Sequence, residues 1–374
     1  MRKLLLFIFL LITPCFAITK PTVNATSAIA IDTVSGRILY EKNAFSRKPM
    51  ASTTKIMTAI IAVEKCSLDD IVTISKKAAA TGGSNINLKE NQQIKLKELL
   101  YGLMLASGND AAVAIAEHTA GSVEEFSKLM NEKAIKIGAF NTNFVTPHGL
   151  DNDNHYSTAY DMAIIAAYAL KNPTIKEIVG TKNKYINFTD GTGRNLNNTN
   201  ALLSSYEGAD GVKTGYTSLA GRCLVASATR DNWQVISVVF GEPTSKSRIS
   251  DSINILNYCF NNFTFTDLRT LYKINFSIPI LKGIKKSFYP IYENELLIPL
   301  TNEEKDAIKI RKNKKNYLTA PIIKNANVGE IEFVLKDEVL GKINLICENE
   351  IKRMQISDYF SNIAKQYFSL SAFK

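Results

Sequence analysis

The chain has 374 residues, 45% hydrophobic and 21% charged, which supplies a sizeable core and points to two domains. It opens Met1-Arg2-Lys3, then an apolar run from Leu4 to Ile12 and Cys15-Phe16-Ala17, so residues 1–17 read as a secretory signal peptide, the run being too short to span a bilayer. Removing Arg2 and Lys3 takes the formal charge from +10 to +8, which suits an anionic membrane surface or cell-wall polymer, and export argues against nucleic acid.

Pro14 opposes a lipoprotein cut before Cys15. Cys66, Cys223, Cys259 and Cys347 are scattered, without a Cys-x-x-Cys. Their pattern suggests neither a disulfide framework nor a zinc site, and leaves room for one disulfide.

In chain order, Ser27 to Asp32 and Arg37 to Glu41 flank Val34-Ser35-Gly36 and predict a β-hairpin. A helix opens near Ser52 and ends near Cys66-Ser67, burying Ile56, Met57, Ile60 and Ile61. Leu96 to Ala106, Asp110 to His118, Val123 to Ile137 and Ala159 to Leu170 carry apolar residues at spacings of three and four, so the region is helical. Ser122 with Glu125, and Thr158 with Asp161, have capping-box spacing, and Asn172-Pro173 stops the last helix. Strands follow at Gly211 to Thr217, Arg222 to Thr229 and Gln234 to Gly241, then a helix from Lys246 to Phe260. Strands at both ends with helices between predict an α+β unit, an antiparallel sheet with an inserted helical subdomain, over residues 25–262.

Beyond Phe263, Lys273 to Ile278, Glu330 to Leu335 and Lys342 to Ile346 alternate apolar with polar residues among several prolines. They predict a small all-β domain over 265–350, with the basic run Lys305 to Lys315 as a solvated loop. Over 351–374, Ile356, Tyr359, Phe360, Ile363, Ala364, Tyr367 and Phe368 share one helical face, and Ser357, Asp358, Ser361, Asn362, Lys365 and Gln366 the other. That is an amphipathic helix suited to a membrane interface.

Ser52 and Lys55 sit one helical turn apart, on one side of the turn. A serine hydroxyl needs a neighbouring base to become a nucleophile, and a lysine can be that base only if its pKa falls toward neutrality. Alone, the pair reads as a capping serine with a solvated lysine. Two further strings change this: Ser107-Gly108-Asn109 in a break between helices, and Lys213-Thr214-Gly215 on a strand. Similar strings at Ser371 to Lys374 and Ser252 to Asn254 are chance matches. If the three strings converge, Lys55 and Lys213 share a site, and their repulsion lowers the pKa of at least one. Which lysine is neutral stays open.

The set matches the Ser-x-x-Lys, Ser-x-Asn and Lys-Thr-Gly strings of penicillin-binding proteins and class A β-lactamases. With the flanks Ala28 to Asp32, Gly36 to Tyr40, Ala51 to Thr58, Ala106 to Ala112, His148 to Asp151, Asp210 to Thr217 and Leu224 to Thr229, the chain closely resembles the low-molecular-mass penicillin-binding proteins, the serine-type D-alanyl-D-alanine carboxypeptidases. The resemblance implies a β-lactamase/DD-peptidase-like fold, no cofactor, peptidoglycan stem peptides ending in D-Ala-D-Ala as substrates and β-lactams as inhibitors. It implies Ser52 as nucleophile, Lys55 as general base, Ser107 as proton relay with Lys213 as its electrostatic partner, and Asn109 on the substrate amide. It places Thr214 and Arg248 on the terminal carboxylate, and the backbone N–H groups of Ser52 and Tyr216 in an oxyanion hole. Gly215 would let the substrate backbone approach closely. The family's habit of ending in an anchor makes 351–374 a peripheral membrane attachment, with the enzyme in the periplasm or on the outer face of the cytoplasmic membrane.

Gly82-Gly83-Ser84 resembles the family's loop beside the active site and reads equally as a surface turn. His148 to His155 invites a metal reading, but lacks the sixth-position glycine of a calcium loop and any zinc-hydrolase string. None of the three histidines sits in a nucleophile-elbow context. The competing readings are a D,D-endopeptidase or β-lactamase of the same fold and a non-catalytic cell-wall-binding module. Gly108, where a class A β-lactamase carries aspartate, weighs against the lactamase, and an intact Ser52, Lys55, Ser107 and Lys213 against the module.

Overall fold

A computed structural model describes residues 19–371; the expected signal peptide and the last three residues lie outside it. The chain enters through β1 (Ser27–Asp32) and β2 (Ile38–Lys42), the expected antiparallel hairpin. A single 3-10 turn, Ala51–Thr54, leads into α1 (Lys55–Lys65). A short hairpin of β3 (Ile71–Thr73) and β4 (Gln93–Lys95) precedes α2 (Leu96–Leu105), α3 (Asn109–Ala120), α4 (Val123–Lys136), α5 (Ala159–Leu170) and α6 (Pro173–Gly180). A second hairpin, β5 (Asn183–Asn187) with β6 (Gly193–Asn197), returns the chain to β7 (Ala209–Thr217), β8 (Gly221–Arg230), β9 (Trp233–Glu242) and α7 (Ser245–Asn262).

The main sheet has the order β2-β1-β9-β8-β7, antiparallel throughout, so the first strand of the unit pairs with the last and β7 is left at an edge. Successive side chains of a strand point to opposite faces. Ile29, Ile31, Val225, Ile236, Val238 and Phe240 therefore pack toward the helical subdomain, while Ala28, Ala30, Leu224, Ala226, Val235 and Val239 pack against Ile255, Leu256 and Cys259 of α7. Two buried faces explain why these strands read as apolar runs rather than alternating ones.

Several local expectations are corrected. Asn172 does end α5, but its side chain also accepts the N–H groups of Thr174 and Ile175, so Asn172-Pro173 opens α6, with proline at the first helical position. The Ser122 and Thr158 hydroxyls cap their helices from one side only. Asp161 instead accepts from Asn141 N and Thr142 Oγ1.

The C-terminal unit is β-rich, as expected, with a core of Leu268, Ile278, Ile298, Leu300, Val328, Ile331, Phe333, Ile343, Leu345 and Ile351. Its four-stranded sheet includes Lys309–Lys314, Asn327–Leu335 and Glu338–Ile346. The basic run is thus a short helix, Asn302–Ala307, and a strand rather than a loop. Arg311 pairs across the sheet with Glu332 at 2.9 Å, and Lys312 lies over the ring of Tyr272, at the end of a 3-10 turn, at 4.8 Å. Lys273 to Ile278 is not a strand: after the strand Thr264–Asp267 and a 3-10 turn, the next strand starts only at Ile278. Ile274 and Phe276 pack on the core without a ladder, so their alternation reported burial alone.

Arg37, at the tip of the first hairpin, joins the two units through Glu304 (2.5 Å) and the Pro299 carbonyl, with Phe263 beneath its guanidinium. Trp233 stacks on Phe265 and donates its indole N–H to the fully buried Asp32 at 3.0 Å. Asp32→Ala leaves that N–H unpaired and is expected to lower unfolding stability by about 1–3 kcal/mol, read as a lower denaturant midpoint with β-lactam acylation retained.

Candidate active site

The Ser52 turn is held from three sides. Ala51 takes a left-handed φ of 47°, immediately before Ser52. Thr53 Oγ1 donates to Met50 O at 2.6 Å and Thr54 Oγ1 to Ala51 O at 2.8 Å, closing the turn on itself. Behind it lies the 148–155 segment. Val145 N donates to His155 Nδ1 at 2.9 Å, which leaves Nε2 as the ring's donor to Thr54 Oγ1 at 2.8 Å. Gly149 has a φ of 87°, and a Cβ there would stand 1.9 Å from Ala51 O. On the third side is β7, where a Cβ on Gly215 would stand 3.0 Å from Ser52 N. The glycine of the Lys-Thr-Gly string thus admits the protein's own backbone, a use the sequence did not suggest.

Lys55 is fully buried, and its Nζ meets Ser52 Oγ at 3.0 Å, Asn109 Oδ1 at 2.7 Å and His148 O at 2.8 Å. Asn109 Nδ2 donates to Gly82 O at 2.7 Å, so its Oδ1 is the end that faces the lysine. Burial first, and then the charge of Lys213, hold the Lys55 amine well below the usual lysine range, against the opposing pull of Asp110. Burial, and next the charge of Arg248, push Lys213 down to about 7. Desolvation therefore outweighs the mutual repulsion expected from the sequence.

A neutral amine donates two hydrogens and offers one lone pair. The Asn109 and His148 oxygens only accept, so they take the two N–H bonds, and the lone pair faces the Ser52 hydroxyl. In that state the arrangement can draw a proton from Ser52.

The three strings come together, with differences in detail. Ser107 is buried with a φ of 63°, and its hydroxyl has no hydrogen-bond partner among the described residues, so it is not bonded to Lys213. The Lys213 ammonium instead donates to Thr214 O at 3.0 Å. Tyr216 is 56% exposed, with the Arg222 guanidinium 4.5 Å over its ring. Burial, and then the charge of Arg222, hold Arg248 below its ordinary range. Gly82 to Ser84 is not a plain surface turn: it receives Asn109 Nδ2 at Gly82 O and Asn109 N at Ser84 O, both at 2.7 Å. Asp110 fixes the same segment by accepting Ile86 N and Leu88 N. The imidazoles of the 148–155 segment serve the protein. His148 Nδ1 accepts Leu150 N, and burial pushes His148 and His155 down to about 3 and about 4, so both stay neutral.

Residues 15–244 match the D-alanyl-D-alanine carboxypeptidase family, and residues 267–353 the C-terminal domain of penicillin-binding protein 5. The chain belongs to the D-alanyl-D-alanine carboxypeptidase family. This carboxypeptidase is 39% identical over 340 residues to the D-alanyl-D-alanine carboxypeptidase DacF of Bacillus subtilis, covering 88% of this chain and 86% of that one. It is 36% identical to DacA of Haemophilus influenzae, covering 90% of this chain and 87% of the relative. Penicillin binding protein 5 of Haemophilus influenzae superposes with a TM-score of 0.75 at 34% identity, over 90% of this chain and 100% of that structure. The Streptomyces K15 DD-transpeptidase gives 0.63 at 39% identity, over 65% of this chain and 99% of that structure. The serine-type hydrolase reading and the fold expected from the sequence therefore hold.

Sequence reasoning missed Thr199, whose hydroxyl meets Thr214 Oγ1 at 2.7 Å, and Asn200, which donates to Gly211 O at 2.8 Å. Both lie in Asn197-Asn198-Thr199-Asn200, a run whose only signal was its polarity. Arg222 and His155 were missed as parts of the site because their roles depend on cross-strand and long-range contacts. Gly149→Ala of this carboxypeptidase is expected to shift the Ser52 turn and slow β-lactam acylation about 10²-fold while cooperative unfolding persists, measured by the rate of covalent adduct formation.

Proposed function

We propose that the carboxypeptidase reaction runs on a neutral Lys55. Ser52 Oγ attacks the carbonyl between the two terminal D-alanines as Lys55 Nζ takes its proton, and the N–H groups of Ser52 and Tyr216 receive the developing oxyanion. Ser107, its hydroxyl free of partners among the described residues, passes a proton to the departing D-alanine amine, with Lys213 providing the nearby positive charge. Water then hydrolyses the acyl-enzyme; a β-lactam follows the first step and stalls.

The substrate lies along the edge of β7, as an added strand would. Thr214 and Arg248 receive its terminal carboxylate, a planar anion suited to guanidinium. Asn109 keeps one Nδ2 hydrogen beyond the bond to Gly82 O for the substrate amide. A cavity of about 520 Å³ beside Tyr216, lined by Lys48, Leu219, Gly221 and Glu242, offers room for more of the ligand. The observation that carries this reading is the division of the Lys55 amine among Ser52 Oγ and two pure acceptors.

Ser52→Ala is expected to abolish both the β-lactam adduct, read by intact mass, and D-alanine release, at a stability loss of about 1 kcal/mol, that of the one hydrogen bond to Lys55. Lys55→Arg is expected to be equally inactive, because a guanidinium cannot act as a base near neutral pH. Adduct formation by Ser52→Ala would show another nucleophile.

The enzyme is proposed to act outside the cytoplasm, in the periplasm or on the outer face of the membrane, attached peripherally through residues 351–374. No helix among the described residues is long and apolar enough to cross a membrane. Support comes from the final helix, α9 (Ile356–Ser371, following the short α8 at Asn302–Ala307), whose Ile356, Phe360 and Ile363 are 77%, 70% and 63% exposed in one row with Tyr359. The side chains expected of Asn362, Lys365, Gln366, Tyr367 and Phe368 fall outside the described set. Buried in an interface, such a row supplies apolar area that solvent otherwise meets. Deleting residues 354–374 is expected to release the protein from washed membranes with full activity on a soluble D-Ala-D-Ala peptide. Unfolding of the truncated chain, with the intact one ignoring vesicles, would make the helix structural.

A further inference from the structure

The ends of α1 and α3 remote from Ser52 bring together side chains that the hydrolytic reaction does not use. Cys66 caps the C-terminus of α1, His118 lies in the last turn of α3, and Asp70 stands in the turn before β3. The Cys66 thiol, one Asp70 oxygen and one His118 ring nitrogen all lie within 4.8 Å of one another. His118 Nε2 and Asp70 Oδ2 are 3.3 Å apart. Imidazole and carboxylate ligands of a tetrahedral zinc ion stand roughly 3.3 Å apart as well, given metal–ligand bonds of about 2.0–2.1 Å.

We propose that Cys66, Asp70 and His118 form a binding site for a divalent transition-metal ion, zinc foremost, with water as the fourth ligand.

A thiolate, an imidazole and a carboxylate together suit borderline-soft Zn²⁺, whereas Mg²⁺ and Ca²⁺ prefer all-oxygen shells. The backbone is already set. Asp70 N donates to Ser67 O, Leu96 N donates to Asp70 O, and Ser67 N donates to Asp70 Oδ2 at 3.1 Å, which aims the carboxylate. The His118 and Asp70 side chains are 27% and 37% exposed, so an ion can enter from solvent.

A second observation points the same way. Cys66 and His118 both lie at helix C-termini, where aligned peptide dipoles place partial negative charge that favours a cation. On binding, the Cys66 thiol releases its proton to solvent and the thiolate bonds the metal; no redox change is involved.

The placement has a mechanical consequence. The opposite ends of the same helices carry Lys55 and Asn109, in contact at 2.7 Å. α1 and α3 therefore run side by side in one direction for about 16 Å, and the ion would clamp the pair at the end away from the chemistry. Cysteine spacing could not announce such a site, because its ligands come from two segments, the 66–70 turn and the end of α3.

The test uses the purified full chain, stripped with chelator and titrated with Co²⁺. Expected are a thiolate-to-cobalt charge-transfer absorption in the near ultraviolet that saturates at one equivalent, tetrahedral bands in the visible, and loss of both when Zn²⁺ is added. Cys66→Ser is expected to remove the charge-transfer band, and His118→Gln to weaken binding roughly tenfold or more, since even outer-shell partners of a metal site contribute on that scale. Cys223, Cys259 and Cys347 are buried, so Cys66 is the accessible thiol among the described residues. Zn²⁺ is expected to raise the melting temperature of the unsubstituted protein in a concentration-dependent way and not that of Cys66→Ser. β-Lactam acylation should persist in both variants, which verifies that they fold. Absence of the charge-transfer band, its survival in Cys66→Ser, or unchanged affinity in His118→Gln would overturn the proposal.

Discussion

A lysine amine sealed from water at the base of a serine is the constraint on which the site depends. Buried away from solvent, an ammonium loses its hydration, and its proton becomes easier to remove than in water. Lys55 satisfies this condition, and its surroundings go further by fixing which atom the free lone pair addresses. Asn109 Oδ1 and His148 O can only accept, so both amine hydrogens are committed and the lone pair is left to Ser52. The carboxamide cannot rotate away without losing Gly82 O. Lys213, lowered by burial and by Arg248, adds a cation nearby that disfavours a proton on Lys55.

Much of the fold follows from the need to bring those groups together. The Ser52 turn is pressed between the 148–155 segment and the β7 edge, and each contact requires the absence of a side chain, at Gly149 and at Gly215. Asn109 starts α3, so its position is tied to the helix and, through Asp110, to the 82–88 segment. The sheet supplies the rigid member, with β1 from one end of the unit paired to β9 from the other. Asp32 and Trp233 lock that junction, and Arg37 extends it to the C-terminal unit.

What could be read from the sequence was what local chemistry writes locally. The hairpin at Ser27, the helix Ala159–Leu170 and the three strings of Ser52, Ser107 and Lys213 each declare themselves within a few residues. Where two constraints act on one residue, the reading failed. Asn172 both ends and begins a helix, and Asp161 has a capping-box position yet serves a neighbouring loop. The basic run of 305–315 is solvated as expected but read as a loop, because Glu332, the carboxylate that pairs with Arg311 across the sheet, lies on another strand. Thr199, His155 and Arg222 act through contacts that no spacing rule spans. The family resemblance pointed to the three strings, but the depressed Lys55 amine proposed as the base could be seen only in the three dimensions of its pocket.

That reason is open to direct measurement. With lysine side chains enriched in ¹³C at Cε, the Lys55 resonance, assigned by its loss in Lys55→Arg, can be followed as pH rises. Removing the proton from a depressed amine begins at lower pH than for the exposed lysines, so the Lys55 signal should move well before theirs. A Lys55 resonance that titrates together with the exposed lysines, near 10.5, would contradict the claim that burial leaves this amine neutral and ready to accept the Ser52 proton.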